Sequence, residues 1–183
     1  MELVDFQIAK AVQSGDVTIT PYDSSLINPN SIDIRLGYHF IKCVATNSVK
    51  DPKIDKQHGI ATVLEHESDY IIIEPGDFIL ATTLETIHLT DCIRAQLEGK
   101  SSLARWGLVL HQTGGWIDAG FRGEITLELS LVYPDPIKLY PGMPIGQLAF
   151  IKTEPCRVPY DKRKGSKYVN QLGATTSQYY KNF

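Results

Sequence analysis

Between Glu98 and Glu128 the chain reads E-G-K-S-S-L-A-R-W-G-L-V-L-H-Q-T-G-G-W-I-D-A-G-F-R-G-E-I-T-L-E, and its reactive side chains gather there. Ser101, Ser102, Arg105, His111, Asp118 and Glu128 stand among glycines and turn-forming residues. Buried charges are costly unless they are paired or used, so polar groups at this density point to a site rather than to scaffolding. The segment Ile125-Thr126-Leu127-Glu128-Leu129-Ser130 alternates at the period of a strand. Ile125, Leu127 and Leu129 then form a core face, and Glu128 lies between two hydroxyl residues on the other. A carboxylate so placed can move protons if its surface lines a pocket. The pattern alone equally describes a solvated glutamate.

The other groups carry similar alternatives. Ser101 and Arg105 are four apart, so one helical turn brings them to the same side while Leu103 anchors the other. Two serines before an apolar residue also read as a helix N-cap. Asp118, just ahead of Ala119-Gly120, is a common turn aspartate. His111, following Leu108-Val109-Leu110, reads as a hydrogen-bonded structural group.

An amphipathic helix opens the chain, with Val4, Ile8, Ala11 and Val12 at helical spacing and Gly15 as its stop. Strands follow: Ser31 to Leu36, ended by Gly37; Tyr70 to Ile73, closed by Glu74-Pro75-Gly76-Asp77; Phe78 to Thr82; Thr86 to Leu89; Ile93 to Leu97; and Ile145 to Phe150. Residues 47–67 are polar and weakly periodic, so they read as a loop or flap. The chain after Pro155 reads as a basic, flexible tail. Many short strands at near-regular spacing predict a mainly β fold, a barrel or sandwich of jelly-roll type with a few short helices.

With 183 residues, 43% of them hydrophobic, the chain can bury the core of one domain spanning 1–183. A net charge of −3 argues against bulk nucleic-acid binding, which wants a basic face. There is no run of about 18 apolar residues and no signal-peptide pattern, so neither a membrane partner nor secretion is expected. Three scattered cysteines make no disulfide framework, and a cytoplasmic location is expected.

The segments K-S-S-L-A-R (100–105) and H-x-T-x-x-x-I-D-x-G-F-x-G-x-I-T-L-E (111–128) resemble the dCTP deaminases of the trimeric dUTPase-like superfamily. The resemblance covers nearly the whole chain and implies a distorted jelly-roll β-barrel assembled as a homotrimer, with active sites between subunits. It gives Glu128 the role of proton shuttle, Ser101 that of holding the hydrolytic water, and Arg105 that of polarising the substrate. It implies nucleotide contacts from Lys100, Ser101, Ser102, Leu103, Ala104 and Arg105, and from Gly114, Thr126, Leu127 and Glu128. Asp118 is placed under the sugar 3′-hydroxyl, with a second task of orienting water toward the α-phosphate, and Phe121 is placed against the deoxyribose. Tyr160, Lys167 and Gln171 share the spacing of a triphosphate-binding segment that closes over the site, about residues 155–183. Mg²⁺ is implied as a companion of the triphosphate.

Gly114-Gly115, the wording Q-T-G-G-W-I-D-A-G-F and Gln147 in I-G-Q-L resemble the bifunctional members, which continue from dUTP to dUMP and pyrophosphate and so supply thymidylate synthesis. Glycine at both 114 and 115 is expected to leave space beside the base. Zinc is not expected: Pro155-Cys156 lacks a second cysteine two residues beyond, and no histidine has glutamate two residues on. The alternatives are a deaminase that stops at dUTP, a dUTPase alone, and a non-catalytic nucleotide-binding regulator on the same fold.

Overall fold

A computed structural model describes residues 1–183. In chain order the elements are α1 (Asp5–Ser14), β1 (Val17–Thr20), β2 (Ile32–Cys43), β3 (Gly59–Val63), β4 (Ile71–Ile73), β5 (Phe78–Leu89), β6 (Ile93–Gly99), α2 (Ser101–Ala104), β7 (Leu108–Val109), β8 (Trp116–Ile117), β9 (Arg122–Leu131), β10 (Ile137–Leu139) and β11 (Pro144–Lys152). The protein is mainly β. The large sheet runs β7-β9-β5-β2-β11-β6-β8, with β1 added to β5 and β3 to β2, while β4 and β10 pair as a separate ribbon. No helix is long and apolar enough to cross a membrane.

Alternation explains which side of each strand is buried. Along β9, Ile125, Leu127 and Leu129 are buried, and Thr126, Glu128 and Ser130 are not. The same rule sends Ile32, Ile34 and Leu36 of β2 into the core with Phe40 and Phe150, all essentially without exposure. Burying one such side chain contributes about 1.5–3 kcal/mol. Helix α1 covers the sheet through Ile8 and Ala11 and ends at Gly15 as expected.

Four expectations need correction. Gly37 does not end its strand: β2 continues to Cys43, and its ladder with β5 shifts between Leu36 and Phe40. Glycine is required there because a Cβ would meet Thr82 Oγ1 at 2.6 Å and the Thr83 carbonyl at 2.8 Å. The strands expected at 78–82 and 86–89 are one strand, β5, whose pairing with β9 shifts between Thr82 and Thr86. That irregularity is held internally. Thr83 Oγ1 donates to the Glu85 carbonyl at 2.7 Å and accepts from the Ile125 amide at 3.0 Å. The buried Glu85 carboxylate takes both the Arg35 amide (2.9 Å) and Arg35 Nε (2.7 Å).

The segment 47–67 contains a strand, β3, paired with the outer half of β2. All five of its residues are exposed, so burial imposes no alternation and the sequence shows none. The tail is laid along the sheet. β7 covers only the far end of β9, and the tail takes the edge left open at Arg122, Gly123 and Glu124. There the Asn170 amide donates to the Arg122 carbonyl (2.8 Å), Gln171 bridges Gly123, and the Gly173 amide donates to Glu124 Oε2 (2.8 Å).

Candidate active site

Strands β9 and β5, the β8 turn and the tail enclose a cleft of about 500 Å³. Glu128 enters it from the outer face of β9 and lies opposite Leu80 in the β5 ladder. Phe78, Leu80, Phe121 and Ile125 make an apolar wall, and Glu128 and Thr126 provide polar groups among them. The Gln112 amide donates to Glu128 Oε2 at 3.0 Å, and the Gln112 side chain donates to Ser130 Oγ at 3.0 Å. The Glu128 amide donates to the Leu110 carbonyl at 3.0 Å, so the loop between β7 and β8 is tied to β9 by three bonds around one carboxylate. Oε1 lies toward Gly114, where an added Cβ would stand 3.5 Å away. One oxygen is fixed and the other borders the cleft, the arrangement a proton carrier needs.

The β8 turn supplies Asp118. Its Oδ1 accepts from Trp116 Nε1 at 3.0 Å, and its carbonyl accepts from the Phe121 amide at 3.1 Å. The Phe121 ring lies 6.2 Å from the Tyr160 ring, and the Tyr160 amide donates to the Ala119 carbonyl at 2.8 Å. The tail thus buttresses the turn that presents Asp118. Tyr160 and Gln171 line the cleft, together with Tyr168, Thr175 and Ser177 from further along the tail. Gln171 Oε1 is buried there without a partner.

Of the residues expected at the site, the structure brings Gly114, Asp118, Phe121, Thr126, Glu128, Tyr160 and Gln171 together around this cleft. Leu127 is fully buried in the core, so only its backbone faces β5. Lys167 points along the tail, its Nζ on Asn182 Oδ1 at 2.6 Å. Lys100, Ser101, Ser102, Leu103, Ala104, Arg105 and Gln147 do not line the cleft. Lys100 and Gln147 belong to a second polar group where β2, β6 and β11 meet, and the other five lie on or beside α2. Ser101 and Arg105 do share one helical turn, with the Arg105 amide on the Ser101 carbonyl at 3.1 Å, and both are exposed. The N-cap is Lys100 rather than a serine. Lys100 Nζ pairs with Asp33 Oδ2 at 2.6 Å, Asn28 donates to Asp33 Oδ1 at 2.6 Å, and Gln147 joins Ser31 Oγ (2.8 Å) to the Gly99 carbonyl (3.3 Å).

Sequence reasoning missed Asp33, Gln112 and Trp116. Asp33 had a signal, a carboxylate alternating with Ile32 and Ile34. Gln112 reaches Glu128 through its backbone, and Trp116 is a residue left 59% exposed, so neither had one. Gly115 also differs from expectation. It leaves no space, since a Cβ there would meet the Leu97 carbonyl at 2.8 Å and the His111 ring at 3.0 Å. His111 packs on that glycine with Nδ1 buried and unpartnered, instead of hydrogen-bonded as expected. No three His, Cys, Asp or Glu side chains converge. Near the tail junction, burial and then the Arg122 charge push the His88 imidazole below its ordinary 6.5, against the pull of Asp161.

Residues 3–153 match the family described as dCTP deaminase-like. A protein of Methanoregula boonei named dCTP deaminase, dUMP-forming, is 50% identical over 182 residues, covering 100% of this chain and 99% of its own length. One of the same name from Corynebacterium efficiens is 46% identical over 188 residues, covering 100% of this chain and 96% of its own. The crystal structure of 2′-deoxycytidine 5′-triphosphate deaminase from Agrobacterium tumefaciens superposes with a TM-score of 0.62 at 22% identity, over 81% of this chain and 47% of that one, so the two share a fold. The chain belongs to the dCTP deaminase-like family.

Proposed function

We propose that the protein hydrolyses dCTP to dUTP and ammonia and then cleaves the nucleotide to dUMP and pyrophosphate. Full-length relatives at about half identity bear the name dCTP deaminase, dUMP-forming, which supports this reaction pair. The observation that carries the chemistry is Glu128: a half-buried carboxylate at an apolar cleft, with one oxygen held by a backbone amide and the other bordering Gly114.

Deamination then runs as follows. Water forms a bond to C4 of the cytosine while Glu128 takes its proton and passes one to N3. The proton of the new C4 hydroxyl then passes through Glu128 to the exocyclic nitrogen, the C4–N bond breaks as the C4 carbonyl forms, and ammonia departs. General acid–base help of this kind is worth about 10²–10⁴ in rate. Ser101 holds the water and Arg105 polarises the substrate. Neither lines the cleft within one chain, which supports a site completed by a second copy in a homotrimer. Lys100, Ser102, Leu103, Ala104 and Gln147 arrive with them, as the triphosphate end of the shared site.

Asp118 accepts from the sugar 3′-hydroxyl and orients the water for the α-phosphate, with Phe121 against the deoxyribose. Thr126 and Gly114 border the base. The chain acts as one unit over 1–183, with 155–183 as the closing segment; Tyr160 and Gln171 already line the cleft, and Lys167 joins them as the segment closes. A Mg²⁺ ion would accompany the triphosphate rather than sit in an all-protein cage. Bound there, Mg²⁺ supplies charge neutralisation along the triphosphate.

The test is Glu128→Gln, which keeps size and removes the base. Ammonia release from dCTP should fall by at least about 10² while nucleotide binding survives. Near-normal ammonia release would remove Glu128 from the mechanism.

A further inference from the structure

Trp116 opens β8 with 59% of its surface exposed, yet it is held on two sides. The Arg94 guanidinium lies 3.5 Å over its ring centroid, a cation–π contact that fixes the indole plane. Arg94 Nη1 is buried with no hydrogen-bond partner, and its guanidinium is stacked on the ring face. Held this way, the indole Nε1 donates to Asp118 Oδ1 at 3.0 Å. Asp118 stands in the wall between the main cleft and a second cavity of about 310 Å³, which contains Arg94 and Arg163. An exposed carboxylate between two cavities, one of them arginine-lined, has competing orientations. The indole donor selects one of them.

We infer that Trp116 is a positioning residue for Asp118, braced by Arg94, and that it governs the phosphate step of the proposed reaction pair. It holds Oδ1 and leaves the lone pairs of Oδ2 to accept from the sugar 3′-hydroxyl and from the attacking water. In that step the water oxygen bonds to the α-phosphorus and its proton passes to Asp118. The P–O bond toward the β-phosphate breaks, and its electron pair leaves on pyrophosphate. The inference rests on the second reaction proposed above, and concerns which residue aims its carboxylate.

Trp116→Phe keeps an aromatic ring under Arg94 and deletes the donor. Losing one hydrogen bond to a charged group predicts that kcat for dUTP hydrolysis falls about ten-fold, with KM within about two-fold. Ammonia release from dCTP, which does not use Asp118 as a proton acceptor, should fall by no more than about three-fold, so dUTP appears among the products. Arg94→Leu keeps the donor and removes the brace, and should produce a smaller loss with the same split. Unchanged dUTP hydrolysis in Trp116→Phe, or equal loss of both activities, overturns the inference while leaving the bifunctional reading intact. A wild-type protein that forms dUTP and no pyrophosphate overturns both.

Discussion

The Gln112 backbone amide donates to Glu128 Oε2 at 3.0 Å while the side chain of the same residue donates to Ser130 Oγ, also at 3.0 Å. Glu128 and Ser130 are two apart on β9 and share its outer face. One residue of the loop therefore reads two positions of one strand and sets where the carboxylate stands.

Ser130→Ala removes the anchor of that loop without touching Glu128. The expected result is a three- to ten-fold fall in kcat for deamination with KM for dCTP little changed, the size of about one hydrogen bond. Ser130→Thr, which retains a hydroxyl, should restore the rate. Steady-state ammonia assays decide this, and a raised KM with intact kcat would count against it.

If the site is split between copies, as proposed, the consequence is arithmetic. Ser101→Ala and Glu128→Gln should each be nearly inactive alone. Mixed trimers made from equal amounts should regain about one quarter of wild-type activity, because random assembly across a head-to-tail interface makes that share of sites with both residues intact. Mixed assemblies of verified composition that remain inactive would place both residues in one chain's site. A mass of other than three chains in solution would remove the trimer.

Much of this was legible in the sequence, for a physical reason. A strand buried on one face must alternate, so β9 and the Ile32–Leu36 stretch of β2 could be read directly, and Glu128 fell on the accessible face. Asp118 and Phe121 were carried by their motif. What failed lay where no such constraint acts. Gly37 reads as a breaker in isolation, and only its contact with Thr82 shows why it sits inside a strand. β3 is exposed throughout and has no period to read. The tail's route depends on an open edge of β9, which exists only once the sheet has formed. Gly115 suggested space and instead fills against His111, which no local pattern encodes.

His88 offers a pH test. Burial first, then Arg122, lower its folded pKa below the ordinary 6.5. The folded state therefore resists protonation, and the unfolded chain binds the proton more readily as pH falls through that value. Stability from this source is complete above the unfolded pKa and declines as pH drops toward the folded one. Wild-type Tm should fall between about pH 7.5 and 5 more steeply than the Tm of His88→Gln. Parallel curves would show that His88 contributes nothing.

One pocket is proposed to perform two hydrolyses. This is tested by resolving the products of dCTP turnover with Mg²⁺ present, following ammonia, dUTP, dUMP and pyrophosphate in the same reaction. Ammonia, dUMP and pyrophosphate should form in equal amounts, with little free dUTP at any time. Stoichiometric dUTP with no pyrophosphate would contradict it and leave a deaminase that stops after the first step.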